Sequence, residues 1–288
     1  MEELHREDPG MNVSEACVAL GVSRSGYYAH RRKAQSKRRR EDAELGPKVR
    51  EAFVSSRGSY GSPRLVHALR REGLRLGKTR IRRLMCEQGC QVTRKRRFVP
   101  RTTIADKNSP VAPNRLLEHP ATSRIDEAWV TDITYLPTSE GWLYLAAEMD
   151  LHSRRILGWS TGVSLATDLV EQALEQAIRR RPGISLRELI HHSDRGCQYT
   201  SAAFRSRLSL RGITPSMSRR GNCYDNATME SFWATLKTEC FGKIIPATRA
   251  AARAMIFDYI ETFYNAVRLH SSLGFQSPVE FERSLNLN

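Results

Sequence analysis

The spacing of apolar residues changes character near residue 125, and this change divides the chain into two parts. Before it, apolar residues recur every three or four positions, which is the period of an amphipathic helix. After it, short runs rich in β-branched and aromatic residues come first and then alternate with helical segments. The pattern therefore predicts small helical modules followed by a mixed α/β domain.

The first module is predicted to be a pair of helices joined by a glycine turn. The first helix has apolar residues at the i, i+3, i+4 and i+7 positions: Val13, Ala16, Cys17 and Leu20. Gly21 ends this helix, and Ser23 can cap the next one. The second helix is basic, so the pair is typical of a helix-turn-helix in which Arg24 and Tyr27 contact DNA. A plain helical hairpin remains the alternative.

A second basic module is predicted after a charged run at residues 37–44, which lacks periodicity and is interpreted as a linker. Three helical segments follow, at residues 47–53, 63–74 and 79–88. In the third segment an apolar stripe lies apart from the arginines, and we predict that Arg80 and Arg83 contact DNA. The alternative for either arginine is an ordinary solvated helix face.

The remaining chain predicts a mixed sheet with an RNase H-like layout. Three strand-like runs at short spacing, at residues 129–136, 142–149 and 155–160, indicate an antiparallel meander. Helices are expected at 167–180 and 202–210, strands at 189–193 and 214–217, and a long helix at about 249–268. The predicted domains are 1–43 and 44–98 for DNA binding, 99–124 as a linker, and 125–288 as the catalytic domain.

Charge supports a nucleic-acid partner for the first part of the chain. The net charge is +15, and residues 1–118 carry 27 Lys and Arg against 13 Asp and Glu. Residues 119–288 carry 19 against 18, so nearly all of the excess precedes the α/β domain. Localised positive charge of this size indicates DNA binding. A solubilising or disordered tail is the alternative, and it fits only residues 31–40, where seven of ten are basic.

Cysteines and apolar runs bear on the compartment. The six cysteines include no CxxC pair, which indicates reduced thiols in a cytoplasm. No run of about 18 apolar residues exists, and the acidic N-terminus does not have the form of a secretory signal. The sequence therefore predicts a cytoplasmic protein that is not inserted in a membrane.

Three acidic residues carry the candidate chemistry. Asp132 lies inside a predicted strand, Asp194 ends another, and Glu230 lies in a helical pattern. A carboxylate inside a strand needs a compensating partner, because an unpaired buried charge is costly. Carboxylates that converge can bind hard cations such as Mg²⁺. Two such ions about 4 Å apart can stabilise the attacking oxygen and the leaving oxygen when a phosphodiester is cleaved.

Helical spacing adds neighbours to this candidate site. Lys237 lies two turns after Glu230 on the same helix face, which favours a DNA contact near the site of cleavage. Asn226 lies four residues before Glu230 on that face, where it could bond to Glu230 or to DNA, or only cap the helix. His192 shares the strand face of Asp194, and both a supporting role and core packing stay open.

Four segments resemble the DDE transposases of the insertion-sequence-three family, in particular their second-frame (OrfB) product. They are Gly221-Asn-Cys-Tyr-Asp-Asn-Ala-Thr-Met-Glu-Ser-Phe-Trp-Ala-Thr-Leu-Lys237, His192-Ser-Asp-Arg-Gly-Cys-Gln-Tyr-Thr-Ser201, Tyr60-Gly-Ser-Pro-Arg64 and Tyr264-Asn-Ala-Val-Arg-Leu-His-Ser-Ser-Leu273. The resemblance covers most of the chain. It implies an integrase-type RNase H fold that cuts element ends and joins the freed 3′-hydroxyl to target DNA.

The resemblance also implies the cofactor and the partners. Two Mg²⁺ or Mn²⁺ ions are expected per site, with Asp132 bridging both and Asp194 and Glu230 each holding one. The expected partners are double-stranded DNA at element ends and target, an upstream-frame (OrfA-like) product fused by frameshifting, and further copies of the chain on DNA. A nuclease of the same fold that only hydrolyses DNA, or an inactive DNA-binding regulator, remains an alternative.

Overall fold

The computed structural model describes residues 12–31, 36–92, 111–117, 122–219 and 226–285. The predicted pair of N-terminal helices is confirmed as α1 (Val13–Ala19) and α2 (Arg24–Arg31). Gly21 lies between them at a φ of +64°, a conformation that glycine adopts without steric cost. Ser23 Oγ accepts the N–H of Gly26 at 3.1 Å, so the predicted cap is present.

A three-helix module follows, with α3 at Lys37–Ser55, α4 at Ser62–Arg71 and α5 at Lys78–Glu87. The predicted linker at residues 37–44 is wrong, because these residues begin α3. Ser36 Oγ caps that helix by accepting the N–H of Arg39 at 3.3 Å. Charged residues without apolar periodicity are stabilised here by ion pairs with α5, which local sequence does not reveal.

The sheet of the second part has five strands in the order β3-β2-β1-β4-β5. The strands are β1 (Ala128–Thr138), β2 (Gly141–Asp150), β3 (Ile156–Gly162), β4 (Ile190–Ser193) and β5 (Thr214–Met217). The first three pair antiparallel, which confirms the predicted meander. The strand β4 pairs parallel to both β1 and β5. This arrangement is the RNase H-like layout expected from the sequence.

Helices cover both faces of this sheet. On one face lie α6 (Thr167–Arg180), the short α7 (Cys197–Thr200) and α8 (Ala202–Leu210), packed over Trp129 and Leu157. On the other lie α9 (Ala227–Leu236) and α10 (Arg249–Phe257), packed over Val130 and Ile156. Adjacent strand residues thus enter opposite cores. Gly158 is required where β3 meets α6, because a Cβ there would lie 2.0 Å from the carbonyl oxygen of Ala173.

Both helices of the second face continue as π-helix, α9 at Lys237–Phe241 and α10 at Asp258–Tyr264. The predicted long helix at about 249–268 therefore changes hydrogen-bond pattern midway. Glu239 joins the two π segments: it accepts hydrogen bonds from Tyr259 Oη at 2.8 Å and from Arg268 Nη2 at 2.7 Å. A last helix, α11, spans Pro278–Leu285.

The three-helix module packs on the C-terminal segment of the α/β part, and one apolar cluster includes residues of both. Tyr60 Oη donates to Val267 O at 3.2 Å and accepts the N–H of Leu269 at 2.7 Å. The ring of His67 stacks on Phe275 with centroids 3.6 Å apart. Two segments that carry the family resemblance, 60–64 and 264–273, therefore meet at this interface.

Part of the predicted linker 99–124 falls on residues 99–110 and 118–121, outside the described residues. The domain boundaries stay a prediction. Within the described ranges, no helix is long and apolar enough to cross a membrane.

Candidate active site

Asp132 lies in the middle of the central strand β1, opposite Ala147 of β2. Its carboxylate is partly buried and accepts two hydrogen bonds, from the N–H of Ile133 at 2.9 Å and from Trp233 Nε1 at 3.0 Å. Burial, followed by the charge of Asp194, raises the pKa of Asp132 to about 7. The fold therefore holds this carboxylate where its own negative charge is poorly compensated.

Asp194 directly follows β4, and strand register explains why it reaches Asp132. The parallel pairing of β1 with β4 sets Val130 beside His192. Two further residues along each strand direction lead to Asp132 and Asp194, which therefore lie side by side where β4 ends against the middle of β1. Asp194 Oδ1 accepts the N–H of Gly196 at 2.9 Å, which fixes one of its oxygens. Two predicted site residues are thus brought together.

Glu230 lies in the first turn of α9 and is exposed. Partial burial raises its pKa, and its charge contributes, less than that of Asp194, to raising the pKa of Asp132. Trp233 lies one turn further along the same helix face and ties α9 to Asp132 through its indole N–H. Sequence reasoning missed Trp233, although its spacing of three from Glu230 places it on that face.

Lys237 also lies on this face of the helix. Its ammonium group lies 5.0 Å from the centroid of the Tyr135 ring, on the same strand as Asp132. Burial lowers the pKa of Lys237, and the charge of Asp132 opposes that effect. The structure therefore brings a cation to the predicted carboxylate site.

Asn226 occupies the N-terminal cap position of α9 but its side chain makes no capping hydrogen bond. Its Oδ1 atom is buried and has no hydrogen-bond partner among the described residues. The predicted bond to Glu230 is therefore absent here, and a contact with DNA stays a prediction.

The floor of the site includes residues that sequence reasoning did not single out. Tyr199 is fully buried, and its hydroxyl lies 3.2 Å from Thr131 Oγ1. Burial and the charges of Asp132 and Asp194 raise the pKa of Tyr199. Its proximity to both carboxylates could not be read from a short helix of four residues.

His192 is fully buried between two serines of the neighbouring strand segment. Its Nδ1 lies 2.8 Å from Ser216 Oγ, and its Nε2 lies 3.1 Å from Ser218 Oγ. Both ring nitrogens therefore have partners, which favours the packing interpretation of this residue.

The predicted DNA contacts of the helical modules occupy varied environments. Arg24 is exposed on α2, whereas Tyr27 is 7% exposed and packs edge-on against Tyr28. Arg80 pairs with Asp42 at 2.8 Å, and Arg83 pairs with it at 2.5 Å. The two arginines thus hold α5 to α3, and their predicted role in DNA binding is not evident from their contacts.

The described residues contain no group of three His, Cys, Asp or Glu side chains close enough to hold a metal ion as they stand. Asp132 and Asp194 are mutually close through strand pairing, and Glu230 is the exposed member. Oxygen ligands from two strands and a helix surround the region. Carboxylate oxygens are the ligands that hard divalent cations prefer, so the donor types present here fit such an ion.

Family models match both parts of the chain. An "Integrase core domain" model matches residues 123–223, and a second model of that description matches residues 211–278. An "HTH-like domain" model matches residues 39–98, which contain the three-helix module. The α/β part is therefore an integrase-type polynucleotidyl transferase core, and residues 39–98 form an HTH-like DNA-binding domain. The match does not include α1 and α2, so the helix-turn-helix predicted there stays a prediction.

Solved integrases have lower similarity. The chain aligns with a simian T-cell lymphotropic virus intasome structure at a TM-score of 0.47 and 15% identity, over 74% of this chain and 69% of that one. It aligns with the HTLV-2 integrase catalytic core domain in complex with magnesium at a TM-score of 0.43 and 13% identity. That alignment covers 56% of this chain and 99% of the integrase chain.

Curated relatives match nearly the whole length. The 31 kDa protein of insertion element IS600 from Shigella sonnei is 42% identical, over 92% of this chain and 96% of that protein. The transposase InsF of insertion sequence IS3A from Escherichia coli (strain K12) is 38% identical, over 97% and 96%. At this identity and coverage, the chain belongs to the IS3 family and is an insertion-sequence transposase with DNA as its partner.

Proposed function

We propose that Asp132, Asp194 and Glu230 are the catalytic carboxylates with which this transposase cuts element ends and joins them to target DNA. The observation that carries the proposal is the pairing of β1 with β4, which places Asp132 beside Asp194. Burial and this neighbour raise the pKa of Asp132 to about 7. A fold that forces two carboxylates together on adjacent strands carries a repulsion that a cation would remove.

The donor set fits Mg²⁺ or Mn²⁺, because all three side chains offer carboxylate oxygens, the ligands that hard cations prefer. When bound, two such ions would polarise the phosphodiester and lower the pKa of the attacking hydroxyl. Asp132, Asp194 and Glu230 would hold the ions. Glu230 is the exposed carboxylate of the three and lies in the first turn of α9.

The other side chains have supporting roles in this proposal. Trp233 orients the Asp132 carboxylate by donating to Oδ2, while the N–H of Ile133 donates to Oδ1. Lys237 supplies positive charge beside Asp132, where a DNA phosphate must lie during cleavage. Tyr199 is too deeply buried to act as a nucleophile, which agrees with direct transfer that lacks a covalent protein intermediate.

The test uses a plasmid that bears the element ends, incubated with the protein and Mg²⁺. Asp132→Asn, Asp194→Asn and Glu230→Gln should each abolish cleavage and joining while DNA binding persists. Asp168→Asn, at an exposed position on α6, is the matched control and should stay active. Near-normal strand transfer by any of the three variants would show that the assignment is wrong. Mapping where the DNA is nicked and where it is joined distinguishes transposition, which gives both products, from hydrolysis, which gives nicks alone.

We further propose that residues 1–43 and 44–98 deliver the catalytic domain, 125–288, to DNA through the linker 99–124. The charge distribution supports this division. Affinity for duplex DNA should fall steeply with salt, and a 119–288 fragment should bind much more weakly than the whole chain. Equal affinity of fragment and whole chain would contradict the division.

An upstream-frame fusion partner and self-assembly on DNA complete the proposal. Nothing in the helical modules supplies a sustained heptad repeat, so a fused product could provide dimerisation. Comparing strand transfer by the chain alone and by the fusion, with size measurement on DNA, tests both points. A DNA substrate also implies action in the bacterial cytoplasm, at the nucleoid.

A further inference from the structure

A polar cleft of about 530 Å³ lies on the side of α9 that faces away from the carboxylate site. The helix contributes three hydroxyl side chains to it, Thr228, Ser231 and Thr235. At 100° per residue these hydroxyls lie opposite the face that carries Glu230 and Lys237. The cleft is therefore separate from the triad, although the same helix borders both.

Four arginines from different parts of the chain line this cleft, and one of them, Arg57, pairs with Asp258 at 2.6 Å. Arg64 comes from α4 of the three-helix module, Arg154 from the β2–β3 turn, and Arg268 from the segment after the second π-helix. Arg268 pairs with Glu239 at 2.7 Å. The cleft is therefore positively charged, and it lies where the two motif segments, 60–64 and 264–273, meet.

Arg64 and Arg154 make no ion pair with any of the described carboxylates. Arg64 Nε donates to Leu269 O at 3.0 Å, and Arg154 Nη1 donates to Thr228 Oγ1 at 2.7 Å. Burial lowers the pKa of both side chains. The charges of Glu239 and Asp150 act on Arg64 and Arg154, respectively, but every hydrogen-bond partner of these two guanidinium groups is neutral. Burial of a guanidinium that lacks an ion-pair partner is costly, and a bound anion would offset that cost.

The backbone at Arg154 gives an independent indication. Its φ is +62°, a left-handed conformation that glycine or asparagine adopts more readily than arginine. The turn needs that conformation but not that side chain. An arginine at such a position, with its side chain lining a cleft, suggests that its charge is used there.

His270 adds a donor to the same cleft. Its Nε2 atom is buried and has no hydrogen-bond partner among the described residues. Burial, together with the charges of Arg268 and Arg64, lowers the pKa of His270 to about 3, so the ring is neutral at physiological pH. A neutral imidazole with a free ring nitrogen can donate one hydrogen bond to an anion oxygen.

We propose that this cleft binds a backbone phosphate of duplex DNA, with Arg64 and Arg154 as its charged contacts. A phosphodiester offers the single negative charge and the several acceptor oxygens that two guanidinium groups and a ring N–H would satisfy. The open side of the cleft, at Ser271 and Ser272, admits a strand from solvent. The inference rests on DNA as the partner of this transposase but not on the roles of the three carboxylates.

The first test compares the salt dependence of duplex DNA binding by whole-chain variants, in EDTA. Arg154→Gln should lower the slope of log K against log salt by about 0.9, the value of one lost phosphate contact. Arg154→Lys, which keeps the charge, should keep most of the slope. Arg179→Gln is the matched control, because Arg179 is exposed on α6 beyond the opposite face of the sheet, and it should bind as the wild type does.

The second test needs no variant and so does not depend on folding. The wild-type protein is treated with phenylglyoxal, which modifies accessible arginines, and modification is mapped by mass spectrometry. Duplex DNA should protect Arg64 and Arg154 but not Arg179. Unchanged modification of Arg64 and Arg154 with saturating DNA overturns the proposal. Protection that rises with protein concentration in the absence of DNA also overturns it, since an acidic surface of a second copy would then be the occupant.

Failure of this inference and failure of the catalytic proposal are distinguishable. Both tests are binding measurements without divalent metal, so they do not require an active triad. If Asp132→Asn stayed active while DNA protected Arg154, only the catalytic assignment would fall. If the triad variants were inactive and the arginines unprotected, only the phosphate site would fall.

Discussion

Replacing Asp132 with asparagine should stabilise the metal-free protein while it abolishes strand transfer. The wild-type carboxyl has a pKa of about 7 in the folded protein against an ordinary value of 3.8. A pKa difference of about 3 corresponds to roughly 4 kcal/mol of unfavourable charge once the group is ionised. Asparagine removes the charge but has one acceptor oxygen where the carboxylate has two, so either Ile133 N–H or Trp233 Nε1–H loses its acceptor. That loss offsets part of the gain, and we expect the free energy of unfolding at pH 8 to rise by about 1–3 kcal/mol.

The sign of the pH dependence follows from the raised pKa. Above pH 7 the folded and unfolded chains both carry the charge at Asp132, and the full cost is present. As the pH falls from 7 towards 3.8, the folded protein takes up the proton first and the cost disappears. The advantage of Asp132→Asn should therefore shrink to less than about 2 kcal/mol at pH 5. The contribution of Asp132 to the free energy of unfolding of the wild type therefore becomes less favourable as the pH rises from 3.8 to about 7.

Urea unfolding in EDTA, at pH 8 and at pH 5, measures the effect directly. Asp168→Asn is the control, because its carboxylate is exposed in the first turn of α6 and no gain is expected. Adding Mg²⁺ at 100 times its dissociation constant should stabilise the wild type by about 2.7 kcal/mol and Asp132→Asn much less. A variant less stable than the wild type at pH 8, or an equal gain at both pH values, would refute the electrostatic reasoning.

Two further substitutions test the neighbours of the site and the module interface. Trp233→Phe removes the N–H that donates to Asp132 at 3.0 Å, so the pKa of Asp132 should rise further. The pH–rate profile of strand transfer should then move to higher pH, and an unshifted profile would contradict this expectation. Tyr60→Phe leaves the buried N–H of Leu269 without its acceptor and should lower the free energy of unfolding in urea by about 1–3 kcal/mol. The control, Tyr144→Phe, should lower it by less than about 0.5 kcal/mol. Equal losses would contradict a stabilising role of this hydrogen bond at the interface.

The sequence predicted the sheet well because its strands bury alternating residues against two cores. The predicted helix at 167–180 and the strand at 214–217 have the bounds that the structure shows. Asp132 and Asp194 could be predicted as neighbours once their strands were expected to be adjacent. That expectation needs only period-two patterning and the parallel return of one strand.

Features decided by distant contacts could not be predicted in the same way. The start of α3 is helical because Asp42 pairs with arginines about 40 positions away, and the local charge run gives no sign of it. Those same pairs engage Arg80 and Arg83, two residues that composition alone favours as DNA contacts. The indole bond from Trp233 to Asp132 likewise depends on how α9 lies over β1. Residue type and spacing limit the set of candidate functional residues, and tertiary contacts determine which of them lie at the site.

The helix α9 connects the candidate site to the module that precedes it in the chain. Glu230, Trp233 and Lys237 face the strand carboxylates, while Thr228 and its neighbouring hydroxyls face the basic cleft. Arg64 reaches that cleft from the three-helix module, so a phosphate held there would contact both the module and α9. Because Glu230 is the exposed carboxylate on this helix, DNA that fixes the position of α9 would also limit where Glu230 can lie. Binding and catalysis would then share one rigid element, which explains why motif segments distant in sequence converge around it.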